Sequence, residues 1–240
     1  MIISHKHKFI FLKTIKTAGT SMEIALSSIC GPDDIITPIR KEDEKYREAD
    51  PQNYFVPFSQ YRLKHYKKML RKRERLQYFN HISAYQVKSW IGEDIWNSYY
   101  KFCFERNPWD KVISHYYYRL RKYDYNSLTD YFKDRGLPKL SSFHQYCMDG
   151  YSIAVDRIFA YENLNESLPE ISEEIGVEVS LPSYRAKGNY RKRDKKYTDM
   201  MTPDEKFLIE VVFGREINLM GYEFGKPYTG DGFRNNENLP

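Results

Sequence analysis

Apolar and polar positions change period several times along the chain. Lys8–Lys13 (KFIFLK) encloses a short apolar run of β-favouring residues, and after a turn-like stretch Ser21–Cys30 (SMEIALSSIC) takes up helical spacing. The chain therefore opens as strand, loop, helix. Tyr100–Glu105 (YKFCFE) alternates as a buried strand and stops at Arg106. Asn107-Pro108 then offers an N-cap and a proline at the first helical position, which predicts a helix over Trp109–Leu120. Arg157–Tyr161 (RIFAY), followed by Asn163–Ile175, repeats the unit. His81–Gly92 predicts one further helix, and Pro203–Leu219 another before Gly221. Repeated strand–turn–helix units predict an α/β fold of three layers, a central parallel sheet flanked by helices.

Two stretches break this rhythm. Gly31–Gln60 holds four prolines and the mixed-charge run KEDEKYREAD, and reads as an irregular excursion. Tyr61–Gln77 (YRLKHYKKMLRKRERLQ) predicts a basic helix with a thin apolar face of Leu63, Tyr66, Leu70 and Leu76. A solvated helix face accounts for its charge. No nucleic-acid-reading motif accompanies it, and nucleic acid is not an expected partner. We expect one domain over residues 1–240, with 31–78 an irregular and helical insertion near the acceptor.

Composition adds little beyond this. The chain has 240 residues, 41% hydrophobic and 30% charged, as a globular protein does, and its formal charge of +5 favours anionic ligands. Cys30, Cys103 and Cys147 are odd in number and widely spaced, which fits a reducing, cytoplasmic setting better than a disulfide framework. The apolar run Phe9–Leu12 is too short for a signal sequence or a membrane span, so no anchor is expected.

Candidate chemistry begins at Lys16-Thr17-Ala18-Gly19-Thr20-Ser21, where the first strand gives way to the first helix. In an open α/β sheet that junction is a ligand position. Backbone N–H groups and the helix dipole favour an anion there, Gly19 permits close approach, the hydroxyls add donors and Lys16 adds a charge. Thr20 with Glu23 also fits a simple capping box, and both readings can hold together. An ATPase or GTPase loop needs G-x-x-x-x-G-K-[ST], and no GK[ST] occurs in the chain.

The second constellation is Arg106 with Ser114, which falls on the same face as Asn107 of the predicted helix, nearly two turns on. A guanidinium and a hydroxyl converging beside a helix start suit a second phosphate. Pairing of Arg106 with Glu105 or Asp110 is the plain structural alternative.

IFLKTIKTAGTSMEIAL resembles the 5′-phosphosulfate loop of sulfotransferases, usually P-K-T-A-G-T-S after a strand, with Ile15 here in place of the proline. R-N-P-W-D-x-x-x-S-x-Y, from Arg106 to Tyr116, is similar to the 3′-phosphate motif of the same family, especially its carbohydrate (heparan-sulfate-type) members. YENL at 161–164, Leu181-Pro182 and the basic loop RAKGNYRKRDKK continue the likeness more weakly. The resemblance implies a P-loop-like version of the α/β fold. It implies 3′-phosphoadenosine 5′-phosphosulfate (PAPS) as donor, no metal, and a hydroxyl acceptor that is a carbohydrate. It implies that Lys16 to Ser21 hold the phosphosulfate, Arg106 and Ser114 the 3′-phosphate, and that Lys187 and Gly188 cover the nucleotide. A solvated basic loop is an equal account of those last two residues.

The acceptor hydroxyl needs a base, and histidine suits neutral pH. His81, in FNHISAYQ, matches the location of the base in related carbohydrate sulfotransferases, although a lone histidine is more often structural. No His or Cys cluster has metal-ligand spacing. Two rival functions stay open, a nucleotide-dependent kinase of similar fold and a basic nucleic-acid-binding module.

Overall fold

The computed structural model describes residues 1–182 and 196–235. In chain order, β1 (Ile2–Ser4) and β2 (Phe9–Leu12) form a hairpin that leads into α1 (Gly19–Ser27). Then come β3 (Ile35–Ile36), α2 (Lys41–Glu44), α3 (Leu63–Lys72), α4 (Ala84–Ile91) and α5 (Glu93–Ser98). The strand β4 (Tyr100–Glu105) leads into α6 (Pro108–Arg119), α7 (Leu128–Arg135) and α8 (Phe143–Tyr146). The strand β5 (Arg157–Ala160) precedes α9 (Leu168–Ile175), α10 (Pro203–Val212), α11 (Gly214–Met220) and β6 (Phe233–Arg234).

The strands form one sheet in the order β3-β1-β2-β4-β5-β6. Its centre is parallel, β2 to β4 to β5, with Leu12 beside Cys103 and Cys103 beside Ile158. The α/β architecture read from the sequence is therefore present, and antiparallel pairing is confined to β1, β3 and β6 at the flanks. Alternation along the strands builds two cores. Phe9, Phe11, Phe102, Phe104 and Phe159 face one side, where Met22 and Leu26 of α1 and Ile171 and Ile175 of α9 cover them. Ile10, Leu12, Cys103 and Ile158 face the other, under Val87 of α4, Val112 of α6 and Ile209 of α10. Sheet and two helical layers follow from this period-two pattern.

Several boundaries differ from the sequence expectation for local reasons. The first helix begins at Gly19, two residues earlier, because the chain turns at Ala18 (φ 57°). The predicted helix at 81–92 begins only at Ala84, since Ser83 caps it by accepting from the Gln86 N–H. Pro203–Leu219 is two helices: at Phe213 (φ −104°, ψ 17°) the chain leaves helical geometry and drives that side chain into the core. The excursion 31–60 is not wholly irregular, because Ile35 and Ile36 pair with β1 as an edge strand.

Candidate active site

Residues 13–18 form a tight loop from the end of β2 to α1. Lys16 (φ 63°) and Ala18 (φ 57°) both lie in the left-handed region, rare for non-glycine residues. Alternating hand of this kind curves successive N–H groups toward one point, an anion-binding nest. Ala18 is the N-cap of α1 and its carbonyl accepts from Met22 N–H, so the first helical turn aims the Gly19 and Ser21 amides past the helix end. Thr20 lies inside the helix, so the capping-box alternative fails.

Glu23 has a different task. It is fully buried and paired with Lys13 and with the Met1 amino group. Burial opposes its ionisation, but the Lys13 ammonium, with the Met1 amino group second, outweighs it and holds its pKa down to about 2, while burial lowers the pKa of that amino group to about 5. Lys13 reaches Glu23 across Gly19. A Cβ on Gly19 would stand 2.6 Å from Lys13 Cγ, so glycine is required here by a neighbouring side chain as well as by any ligand. Thr17 is buried, its hydroxyl 2.7 Å from that of Thr14, which in turn bonds the Phe104 carbonyl. The Thr17 side chain thus ties the loop to β4.

The second constellation lies directly against the first. From the end of β4, Arg106 Nη1 donates to the Lys16 carbonyl at 3.0 Å and to Ser114 Oγ at 3.2 Å. Nε and Nη2 donate to Asp110 at 2.9 and 2.5 Å, and the guanidinium lies 4.2 Å from the centre of the Tyr161 ring. Arg106 therefore makes the Asp110 pairing of the structural alternative and meets Ser114 with the same guanidinium. Burial would lower its pKa, and the Asp110 carboxylate more than reverses this. Lys16 Nζ lies 4.9 Å from the centre of the Tyr118 ring of α6, with Arg40 on the same ring at 4.8 Å.

His81 joins the loop from the other side. Its Nδ1 lies 2.9 Å from the Lys13 carbonyl. A carbonyl only accepts, so Nδ1 carries the proton and Nε2 presents the lone pair. The residue keeps an exposed surface, yet the surrounding protein desolvates the ring and, with the Lys13 ammonium, lowers its pKa to about 4. His81 also adopts φ 63°, in the left-handed region that few non-glycine residues occupy. By contrast His115, beside Ser114, is held 2.6 Å from Tyr131 OH among aromatic rings.

With both motifs on one edge of the parallel sheet, the comparison with known families is decisive: the sulfotransferase family model matches residues 1–222. The chain belongs to the sulfotransferase family. An uncharacterised protein of Archaeoglobus fulgidus is 34% identical over 119 residues, covering 46% of this chain and 98% of its own length. No solved structure matches. Family membership makes this sulfotransferase an enzyme that transfers sulfate; its donor and acceptor are taken up below.

Some of the machinery was not legible in the sequence. Glu105, buried at the end of β4, accepts from the Arg106 N–H, from Lys111 Nζ and from Tyr146 OH. Ser142 then accepts from both Lys111 Nζ and the Ile15 N–H, which ties this buried pair back to the first loop. Burial raises the Glu105 pKa, with Lys111 opposing. In the YENL segment, Tyr161 lies on Arg106 and Glu162 accepts from the Asn107 N–H at 2.8 Å and Tyr222 OH at 3.1 Å. Lys187 and Gly188 lie outside the described residues. Among the described residues no group of three or more His, Cys, Asp or Glu side chains could hold a metal ion, the cysteines are free, and no helix is long and apolar enough to cross a membrane.

Proposed function

We propose that this sulfotransferase moves a sulfuryl group from PAPS to an acceptor hydroxyl, that of a carbohydrate. The observation that carries the reading is Arg106, whose Nη1 reaches both the Lys16 carbonyl and Ser114 Oγ. One guanidinium thereby couples two anion sites, as a nucleotide with phosphate at both its 3′ and 5′ positions requires. The residue chemistry fits that donor: Lys16 and Arg106 supply charge, the 16–21 loop supplies amides, and Ser21 and Ser114 supply hydroxyls.

In this reading the bisphosphate nucleotide supplies the activated sulfuryl group, and the protein aligns it and neutralises charge. The acceptor oxygen bonds to sulfur as the bridging S–O bond breaks and its electrons pass to the 5′-phosphate. Lys16 meets the charge that develops there. The acceptor's proton goes to His81 Nε2, the nitrogen left unprotonated by the Lys13 carbonyl. A pKa of about 4 keeps the imidazole neutral before donor binding. The donor's negative charge raises it, so the base strengthens when the donor is in place.

Thermal denaturation with adenosine 3′,5′-bisphosphate and with ATP tests this against the kinase and nucleic-acid readings. The bisphosphate raises Tm without added metal. Stabilisation by ATP with Mg²⁺ but not by the bisphosphate overturns the donor assignment.

A further inference from the structure

The donor site leaves one charged feature unused. Between residues 62 and 75 stand eight Lys and Arg and a single Glu, a local excess larger than the +5 of the whole chain. The rest of the chain sums to about −2 even with a second basic run at residues 185–196, so the basic character sits on two stretches, of which one is a described element. That element is α3 and its C-terminal extension, no residue of which is buried through Glu74.

The arm is a folded unit. At its base Phe55 bridges Gln77, Val56 N–H donates to the Leu76 carbonyl and Tyr78 N–H to the Tyr54 carbonyl. Tyr61 packs against Phe58 and Tyr66, each 5.1 Å away between ring centres, and its hydroxyl accepts from the Leu76 N–H. At about 100° per residue, Tyr66 and Met69 fall on the side of α3 where Tyr61 packs, and Lys64, Lys68, Arg71 and Lys72 on the other. Leu63 and Leu70, seven residues apart and within about 20° of each other, lie where the two sides meet. They are 82% and 77% exposed.

Two leucines held in water beside a row of cations are poorly explained by solvation alone. Nucleic acid would use the cations but not the leucines, since nothing on a phosphate backbone rewards an aliphatic side chain. An anionic bilayer uses both. Cations meet the headgroups, and leucines at the polar–apolar boundary enter the acyl region while the helix lies flat. We propose that α3 is a membrane-docking helix that seats this protein on anionic phospholipid. The chain runs from the arm's base through buried Tyr78 to His81 in three residues, so docking fixes the candidate site relative to the lipid surface.

The test is flotation of the full chain with vesicles of phosphatidylcholine alone or in equal parts with phosphatidylglycerol. The chain is expected to float with the mixed vesicles and not with phosphatidylcholine. Leu63→Ser with Leu70→Ser lowers the bound fraction by about tenfold or more, and Lys64→Glu with Lys67→Glu and Arg71→Glu abolishes it. Both variants keep the wild-type Tm and bisphosphate response, because these side chains are outside the core and the donor site. The docking inference thus stands or falls separately from the proposed donor. Absence of binding to the mixed vesicles overturns it, as does binding that survives the leucine substitutions. So does capture of duplex DNA or single-stranded RNA that is lost on charge reversal but indifferent to the leucines, which would make the arm a nucleic-acid surface.

Discussion

The loop after β2 and the end of β4 shape their candidate anion sites by different means. The first is built from backbone: two left-handed residues, a glycine and a helix start, braced from beneath by the buried Lys13–Glu23 pair. The second is built from side chains. Four of the five N–H groups of Arg106 are engaged by Asp110, Ser114 and the Lys16 carbonyl, and the fork lies over Tyr161. A backbone site is sensitive to steric intrusion and tolerant of most side-chain deletions, whereas a side-chain site degrades in steps as its members are removed.

The largest expected effect separates chemistry from grip on the loop side. His81→Ala and His81→Asn should lower turnover by about 10² to 10⁴ with bisphosphate affinity nearly unchanged, the scale of a lost general base. An amide can orient a hydroxyl but cannot take its proton at neutral pH. In the wild type, kcat/KM for the acceptor measured with saturating donor should fall on acidification, with a limb above the donor-free His81 pKa of about 4. That limb should vanish in His81→Asn. Retained turnover in either variant removes His81 as the base, and parallel loss of Tm and donor affinity makes it structural.

Next in size is Gly19→Ala, which places a methyl 2.6 Å from Lys13 Cγ and pushes against the buried ion pair. A loss of about 1 to 3 kcal/mol in stability is expected, read by denaturant unfolding, together with weakened bisphosphate binding. If Gly19→Ala is neutral in both, the loop is not held as tightly as the backbone comparison requires.

On the β4 side, Arg106→Ala should weaken bisphosphate binding by about 1 to 3 kcal/mol, and Ser114→Ala by about 1 kcal/mol. The arginine variant also removes the Arg106–Asp110 ion pair, so it should cost stability, which the serine variant should not. Calorimetric titration of both variants checks the order. Equal and negligible losses would remove the β4 end from the donor site.

Where a signal is local, the sequence was sufficient. Asn107 accepting from the Asp110 N–H with Pro108 at the first turn, and the six-residue β4, appear as expected because cap, proline and alternation all lie within a few residues. The Lys16 loop was legible for the same reason. What escaped depends on contacts between distant residues. Glu23 fits a capping pattern with Thr20, and only the arrival of Lys13 and Met1 beside it shows otherwise. Lys111 and Glu105 read as an ordinary helix lysine and strand terminus, although both are fully buried and bonded to each other. Ile35 and Ile36 lie among prolines and charges, and two residues are too few to show a period before β1 pairs with them. The choice of Nδ1 as the protonated nitrogen of His81 rests on a carbonyl 68 residues away.

The parallel pairing of β2 with β4 has a metric consequence. Leu12 and Cys103 are partners in register, so the loops that follow them leave the same edge of the sheet from neighbouring strands. Strands in a sheet keep about 4.8 Å between their axes whatever their side chains. The two candidate anion sites are therefore spaced by a ruler made of main-chain hydrogen bonds, which surface substitutions cannot stretch. Under the proposed donor, a nucleotide lacking its 3′-phosphate meets only one mark on that ruler.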